Sequence, residues 1–264
     1  DGQHGHQAHL FAQEQFNVMN LGRVYEQIAN PQHIEFPQLV RSQWKMDAFP
    51  GQVPVGLDRY QVIVGGRGAG KTRAGAEWIR EKARVPNQRL LLVARTAADV
   101  RETLVEGESG IMAIIPEDER PTYKPSIRRL EWANGTQAYC TSWDEPGSMR
   151  GVQAHYTWLD EPGHKLMSAH PGSLDAFDNA DLATRLGVTP QVLITGTSQV
   201  GSSDLWDALA DSVINLTPFR GSHVRMYHNK TETNRFNLPA AFVERVIDRY
   251  KGTAAEDREL NGLL

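Results

Sequence analysis

Residues 65–72 read Gly-Gly-Arg-Gly-Ala-Gly-Lys-Thr, which is the spacing of a phosphate-binding loop. Backbone N–H groups in such a glycine-rich turn can point inward and form a cradle for phosphate oxygens. Lys71 can reach the β- and γ-phosphates of a nucleotide, and the Thr72 hydroxyl is a natural ligand for Mg²⁺. The residues predicted to bind the nucleotide are Gly65, Gly66, Arg67, Gly68, Ala69, Gly70, Lys71 and Thr72.

The segments on either side of the loop make this pattern more specific. Tyr60–Val64 is apolar and β-branched, so it predicts a buried strand before the loop. Ala76, Ile79 and Ala83 recur at helical spacing, so a helix is predicted to begin near Lys71. The N-terminus of that helix would point at the phosphates. The alternative, a glycine-rich turn that binds nothing, does not explain these flanks.

The composition limits the class of protein. A chain of 264 residues with 40% hydrophobic residues can bury a core of its own. Its longest apolar run, Leu90–Ala94, is far too short to span a membrane. Cys140 is the single cysteine, which excludes an internal disulfide and fits a reducing, intracellular setting. The formal net charge is −4, so any contact with nucleic acid needs a local basic patch.

Other segments predict the rest of the fold. Leu90–Ala94 is typical of a parallel strand covered on both faces, and Thr96 predicts the N-cap of a following helix. The segment from Arg128 to Tyr139 is centred on Asn134-Gly135 and predicts a hairpin, either at a sheet edge or in an insertion. Strands that alternate with helices at these intervals predict an α/β fold with a mostly parallel central sheet flanked by helices.

A second candidate site follows the run Tyr156–Leu159, where two carboxylates come at the end of a predicted strand. Asp160 can hold Mg²⁺ through water, and Glu161 can orient and polarise an attacking water molecule. An adjacent glutamate is typical of hydrolytic ATPases rather than of phosphate-loop kinases. The alternative interpretation is a solvated acidic pair that caps a strand.

A third candidate site is Gln191–Ser198, a buried strand that ends in several hydroxyl groups. We expect this strand to lie beside the other two, where ligands gather at the carboxyl ends of parallel strands. Thr195 or Thr197 could then sense the γ-phosphate and couple its state to neighbouring loops. An ordinary polar exit from a strand is the alternative.

Together these motifs resemble the large subunit of the terminase, the ATPase that packages DNA in tailed phages and phage-derived gene-transfer particles. The resemblance extends from about Phe49 to Leu264. Besides the phosphate loop and the acidic pair it rests on Arg73–Trp78, Thr96–Arg101, Val105–Gly110, Arg150-Gly151, Arg185–Gly187 and Tyr250–Thr253. It implies a P-loop NTPase of the additional-strand, catalytic-glutamate (RecA-like) type. Such an enzyme would hydrolyse ATP with Mg²⁺ to move double-stranded DNA into a preformed capsid.

The resemblance also implies roles for single residues. Arg67 corresponds to the arginine that these motors carry inside the loop, with a catalytic role. Arg150, ten residues before Asp160, corresponds to an arginine finger that acts on a neighbouring subunit, unless it forms a surface salt bridge. The strand of Asp160 is expected next to the phosphate-loop strand. Arg150 would then lie in the segment that leads into this strand, far from the γ-phosphate bound by its own subunit. Gln52 fits a glutamine near the adenine, with Gln43 as a weaker candidate.

The implied partners are double-stranded DNA, the portal protein of the procapsid, the small terminase subunit, and further copies of the chain in a homo-oligomeric ring, taken as a pentamer. The implied location is the cytoplasm of the bacterial host, at the capsid portal during packaging, with no membrane partner. The residues that contact DNA are not evident. Lys124, Arg128 and Arg129 form a basic cluster near the hairpin, but a solvated face explains it more simply.

Two departures from the family pattern qualify this interpretation. The third motif usually ends in proline, whereas residues 195–198 read Thr-Gly-Thr-Ser, which weakens the coupling assignment. Family members usually continue into a nuclease domain, and this chain stops where that domain is expected to begin. We therefore expect a helical appendage over 1–50, an ATPase core over 51–252, a linker over 253–264, and no DNA cleavage.

Two other classes of protein are compatible with the motifs. A helicase-type translocase also carries an Asp-Glu motif, but it normally needs a second motor lobe for which 264 residues leave little room. A nucleotide-switched assembly protein that does not hydrolyse ATP would not need Glu161. The motor ATPase is therefore the favoured interpretation.

Overall fold

The computed structural model describes residues 44–163, 173–198, 200–201 and 203–263. The chain divides into two compact units, residues 1–48 and 49–264, and the second unit contains every candidate site residue except Gln43. The helical appendage predicted for 1–50 falls mostly outside the described residues, as does Gln43. Within the described part, no helix combines the length and the apolar character that a membrane span requires.

The second unit is built on one mixed sheet of eight strands. The strands are β1 (Tyr60–Gly65), β2 (Arg89–Ala94), β3 (Thr122–Lys124), β4 (Arg129–Glu131), β5 (Gln137–Ser142), β6 (Tyr156–Asp160), β7 (Gln191–Gly196) and β8 (Val224–Asn229). Their spatial order is β3-β4-β5-β2-β6-β7-β1-β8. Neighbouring strands in the series β5-β2-β6-β7-β1-β8 pair in parallel. At the other edge of the sheet, β3 pairs antiparallel with β4, and β4 pairs antiparallel with β5. The predicted α/β class is confirmed, and the predicted hairpin is formed by β4 and β5, next to the edge strand β3.

Helices cover both faces of this sheet. The α-helices are α1 (Lys71–Ala83), α2 (Ala97–Asp99), α3 (Ile111–Ile114), α4 (Ser173–Ala183), α5 (Asp204–Ile214) and α6 (Ala240–Tyr250). Short 3-10 turns span Pro50–Gln52, Glu117–Glu119, Pro125–Ile127, Pro146–Met149 and Glu232–Asn237, and π-helical turns span Val100–Val105 and Asp257–Asn261. The Thr96 hydroxyl accepts a hydrogen bond from the Asp99 N–H, so the predicted N-cap of α2 is present.

The two faces of the sheet bury different side chains. Val62, Leu159 and Ile194 lie in one hydrophobic cluster with residues of α4 and α5. Helix α1 packs against β1, β6 and β7, and Trp158 of β6 lies against it. Side chains on a strand alternate between faces, so Trp158 and Asp160 share the α1 face while Leu159 points to the other. The phosphate-loop helix and the acidic pair are thereby brought to one side of the sheet.

The strand order corrects one expectation. The strand that ends at Asp160 does not adjoin the phosphate-loop strand, because β7 lies between them and pairs in parallel with both. Ile194 of β7 is level with Val62 of β1 and with Leu159 of β6, so the three strands end at the same edge. Spacing along a chain does not determine which strand enters the gap between two others. The strand of the third motif fills that gap, as in the additional-strand class of P-loop proteins.

The end of the described chain also differs from expectation. The segment 253–264, predicted as a linker, belongs to the second compact unit. The Arg67 N–H donates to the Glu259 carbonyl oxygen at 2.8 Å, and the Thr231 N–H donates to that of Leu260 at 2.9 Å. Leu260 and Glu259 are both buried. Because these backbone groups pair with the phosphate loop and its surroundings, this segment is part of the core.

Candidate active site

The phosphate loop joins β1 to α1 in a conformation that requires glycine. Gly68 and Gly70 have φ angles of +74° and +80°, which residues with a side chain rarely adopt. Gly70 is the N-cap of α1, and Lys71 is the first residue of the helix. The first N–H groups of a helix have no partner within it and carry partial positive charge. The start of α1 is therefore suited to phosphate oxygens, the ligand predicted for residues 65–72.

Lys71 is held inside the loop rather than in solvent. Its Nζ donates to the carbonyl oxygens of Gly65 at 3.0 Å and Gly66 at 3.1 Å. The same Nζ lies 3.6 Å from Oε1 of Glu161, so the structure brings these two predicted residues together. A charged amine this deeply buried has to be paired with acceptors or with an opposite charge. A phosphate would supply a stronger counter-charge than the two carbonyls do.

Asp160 is the last residue of β6, and its carboxylate is almost fully enclosed, with 5% of its surface exposed. Burial raises its pKa to about 7, and the neighbouring charge of Glu161 adds to the rise. A hydrogen bond from Thr195 and the charge of Lys71 act in the opposite direction. A buried carboxylate with so little compensation favours a cation beside it. Carboxylate oxygens are hard ligands of the kind that Mg²⁺ prefers, as is the hydroxyl of Thr72, the second residue of α1.

Glu161 follows β6 in a left-handed backbone conformation, with φ +47°. This conformation is costly for a residue with a side chain and persists only where surrounding bonds impose it. Here the Glu161 N–H donates to the Thr195 carbonyl oxygen at 2.7 Å, and its Oε2 accepts from the Thr197 N–H at 3.1 Å. The side chain remains 41% exposed. Hydrogen bonds to the backbone of the third motif thus fix the orientation of its carboxylate, which is still accessible to water.

The two threonines of the third motif contact different groups. The Thr195 hydroxyl donates to Oδ1 of Asp160 at 2.5 Å and accepts from Nε1 of Trp158 at 2.7 Å. The Thr197 hydroxyl lies 3.4 Å from the carbonyl oxygen of Gly65, in the phosphate loop. Thr197 therefore connects β7 to the loop, and Thr195 connects it to the acidic pair. Trp158 was not identified from the sequence, where it reads as one more apolar residue of a strand.

Two amide side chains hold the loop from outside. Nε2 of Gln52 donates to the carbonyl oxygen of Ala69 at 2.9 Å, and Nδ2 of Asn234 donates to that of Gly68 at 2.7 Å. The structure thus places Gln52, predicted near an adenine, against the loop backbone. Asn234 has no counterpart among the sequence predictions, because nothing in its local sequence marks it. Only the chain path from β8 brings it to the loop.

Arg67 and Arg150 lie away from the cluster formed by Lys71, Asp160 and Glu161. Nε of Arg67 is 2.9 Å from Oε2 of Glu259, and 59% of the arginine side chain is exposed. Arg150 follows the turn Pro146–Met149, is exposed, and makes no salt bridge within the described residues. The surface salt bridge considered for Arg150 is therefore not formed within that part of the chain.

The basic cluster beside the hairpin is neutralised by acids. Lys124 and Arg129 both lie near Glu131, at 2.6 Å and 3.6 Å. Arg128 pairs with Glu145 at 2.6 Å. All these side chains are at least partly exposed. This arrangement fits a solvated face better than a patch that binds nucleic acid.

Solved structures of three phage large terminases share this fold. The large terminase of a thermophilic bacteriophage matches with a TM-score of 0.60 and 16% identity, over 87% of this chain and 52% of its own. That protein has also been solved in complex with ADP and with ATP-gamma-S. The large terminase ATPase domain of Thermus phage P74-26 matches with a TM-score of 0.57 and 14% identity, over 82% of this chain and 94% of that domain.

The HK97 bacteriophage large terminase matches with a TM-score of 0.55 and 18% identity, over 84% of this chain and 49% of its own. The chain thus spans about half the length of the thermophilic-bacteriophage and HK97 proteins. No curated protein matches it significantly. The family model described as "Terminase large subunit, T4likevirus-type, N-terminal" matches residues 62–264. The chain therefore belongs to the family of terminase large subunits of the T4likevirus type.

Proposed function

We propose that this chain hydrolyses ATP as the motor module of a machine that packages DNA. One observation carries the proposal: Lys71 at the start of α1 and the adjacent pair Asp160 and Glu161 at the end of β6 meet at the edge where β1, β7 and β6 end. A buried ammonium, a buried carboxylate and an accessible carboxylate are the groups that Mg²⁺-dependent hydrolysis of a nucleotide requires. Family membership and the nucleotide complexes of the thermophilic-bacteriophage terminase support the same conclusion.

The residues divide the work of hydrolysis. The loop N–H groups and Lys71 bind the phosphates, while Asp160 and Thr72 would hold Mg²⁺, which when bound neutralises charge on the phosphate oxygens. Glu161 orients a water molecule and accepts its proton. The water oxygen forms a bond to the γ-phosphorus, the bond from that phosphorus to the β–γ bridging oxygen breaks, and ADP leaves with the electron pair. Glu161 then returns the proton to solvent.

The proposal extends to the assembly in which such a motor acts. We infer a homo-oligomeric ring, as implied by the family resemblance, that docks on the portal protein of a procapsid in the bacterial cytoplasm. Double-stranded DNA is the proposed cargo, and the small terminase subunit is the proposed partner that delivers it. In this ring, release of phosphate would shift Glu161 and Thr197, and through Thr197 the phosphate loop.

The test is phosphate release by the purified chain with Mg²⁺, in the presence and absence of double-stranded DNA. We expect Lys71→Ala to lose tight nucleotide binding, because the phosphates lose their buried counter-charge. Glu161→Ala should still bind ATP but turn over at least about a hundredfold more slowly, the usual scale for loss of a general base. Strand separation of a duplex by the wild-type chain would instead indicate a helicase. ATP binding without any turnover would indicate a nucleotide-switched assembly protein.

A further inference from the structure

A tryptophan and a threonine are buried together behind Asp160. Both Trp158 and Thr195 are fully enclosed, with 0% of their surface exposed. Nε1 of Trp158 lies 2.7 Å from the Thr195 hydroxyl oxygen, and that oxygen lies 2.5 Å from Oδ1 of Asp160. Three polar groups from β6 and β7 thus form one continuous chain of hydrogen bonds.

The direction of these hydrogen bonds follows from the chemistry of the groups. An indole nitrogen can only donate, so the Thr195 oxygen must accept from Trp158. The hydroxyl proton of Thr195 is then left to donate, and the Asp160 carboxylate is the acceptor in reach. Without the indole N–H, the threonine hydroxyl would be free to rotate. The tryptophan therefore determines the orientation of the hydroxyl.

The indole ring is itself held in place by the phosphate-loop helix. Gly75 of α1 faces it so closely that a Cβ at this position would lie 2.1 Å from Cε2 of Trp158. Trp158 and Asp160 are two residues apart and share one face of β6. Movement of α1 is thus coupled by contact to the ring that orients Thr195. A leucine or valine at position 158 could fill the space but could not donate a hydrogen bond.

We propose that Trp158 is a positioning residue: through Thr195 it fixes the Asp160 carboxylate so that its second oxygen is presented to the metal ion. The proposal rests on the proposed Mg²⁺-dependent ATPase activity. Charge-assisted hydrogen bonds are among the strongest that a buried carboxylate can form. Loss of one should weaken metal binding and leave nucleotide binding through the phosphate loop largely intact.

The first test is Trp158→Phe, which keeps an aromatic ring and removes the N–H. We expect the Mg²⁺ concentration for half-maximal ATPase activity to rise about tenfold, because the hydrogen bond from Thr195 to the charged Asp160 would lose its fixed direction, and a hydrogen bond to a charged group contributes on that scale. ADP binding measured in EDTA should be unchanged. Trp78→Phe is the matched control, because Trp78 is a buried indole that packs edge-to-face with Tyr156 at the far end of β6. It should leave the Mg²⁺ requirement at the wild-type value.

A second pair of variants distinguishes the proposed role from a purely structural effect of the substitution. Thr195→Val removes the hydroxyl and should raise the Mg²⁺ requirement at least as much, while Thr195→Ser should restore it. The double variant of Trp158→Phe with Thr195→Val should be no worse than Thr195→Val alone, because the tryptophan acts through the threonine. Additive losses, or a wild-type Mg²⁺ requirement in Trp158→Phe, would overturn the proposal. If Trp158→Phe does not fold, the Mg²⁺ requirements of Thr195→Val and Thr195→Ser are compared instead, and equal requirements would overturn the proposal.

Direct binding separates this proposal from the proposed activity. Mn²⁺ can be titrated into the ADP-bound chain and followed by electron paramagnetic resonance. If the wild-type chain hydrolyses no ATP but Trp158→Phe still weakens Mn²⁺ binding, the activity is refuted and the positioning role stands. If ATP is hydrolysed and Mn²⁺ binds both proteins equally, the activity stands and the positioning role is wrong.

Discussion

The two adjacent carboxylates at the end of β6 have opposite surroundings. Asp160 is buried against Thr195, whereas Glu161 turns out of the strand in a left-handed conformation and reaches solvent. A buried carboxylate suits a metal ion, and an accessible one suits proton transfer to and from water. The two proposed chemical roles thus fall on neighbouring residues of the chain. The backbone strain at Glu161 is what turns its carboxylate away from that of Asp160.

The raised pKa of Asp160 predicts that the stability of the folded protein depends on pH when no nucleotide is bound. Its pKa is about 7 in the folded chain, against an ordinary value of 3.8. Between these values the folded state holds a proton that the unfolded state has released, so stability falls as the pH rises through this window. We expect Asp160→Asn, measured in EDTA, to raise Tm by a few degrees at pH 8, with the difference shrinking toward pH 5.

The reverse should hold when metal and nucleotide are present. Mg²⁺ added to the ADP-bound protein should raise the Tm of the wild-type chain at pH 8 beyond the effect of ADP alone, but should add nothing for Asp160→Asn, because the variant lacks the proposed metal-binding charge. Thermal unfolding at several pH values, with and without the ligands, measures both effects. A Tm difference that stays constant from pH 5 to pH 8 would contradict the assigned burial of an ionisable Asp160.

At the scale of elements, the phosphate loop is supported from both ends of the second unit. Gln52 reaches it from the turn before β1, and the π-helical turn Asp257–Asn261 reaches it from the end of the chain. The Thr231 hydroxyl also donates to the Arg67 carbonyl oxygen at 2.8 Å. The loop is thus held by hydrogen bonds from distant segments. Its shape depends on the whole unit rather than on residues 65–72 alone.

Gly66 offers a test of this support. A Cβ at this position would lie 2.5 Å from the Glu259 carbonyl oxygen and 2.7 Å from that of Leu260. Because backbone atoms cannot move aside cheaply, we expect Gly66→Ala to destabilise the unit by about 1–3 kcal/mol, the usual range for overpacking. Denaturant unfolding measures this. Gly147→Ala is the control, because a Cβ there meets nothing within 4 Å. Equal stability of the two variants would mean that the C-terminal segment does not pack on the loop.

At the scale of the whole molecule, we propose that Arg150 acts on the site of a neighbouring subunit. The expectation that it acts on a neighbour began from strands that proved not to be adjacent. The exposed position of Arg150, with no salt-bridge partner in the described part of the chain, still supports it. In a head-to-tail ring, a residue on one surface faces the site of the next subunit. Such an arginine would stabilise charge on the transferring phosphate.

A mixing experiment tests this role. Arg150→Ala should reduce turnover by about a thousandfold with little loss of nucleotide affinity, the low end of the effect of arginine fingers. Mixed with Glu161→Ala, it should recover part of the activity, because some interfaces then pair an intact Glu161 with a neighbour's intact Arg150. Arg245→Ala, an exposed arginine on α6, is the control and should turn over normally. Rings that form but recover nothing on mixing would show that Arg150 does not act between subunits.

Local features followed from the sequence alone: the phosphate loop, the strand before it, the helix that begins at Lys71, the acidic pair and the hairpin of β4 and β5. These depend on short-range rules, since glycines permit positive φ angles and apolar periodicity decides between helix and strand. The order of the motifs was also sufficient to identify the family. None of these features depends on knowing which segments meet in space.

The way in which distant segments combine became evident only from the folded chain. Three arrangements join residues far apart in the sequence. Strand β7 lies between β1 and β6, the amides of Gln52 and Asn234 bind the loop, and Arg67 pairs with Glu259. Each follows from strand order or from hydrogen bonds that buried polar groups must form once packing has brought them together. Local propensity carries no information about such partners, so a buried Trp158 that orients Thr195 reads in the sequence only as an apolar residue.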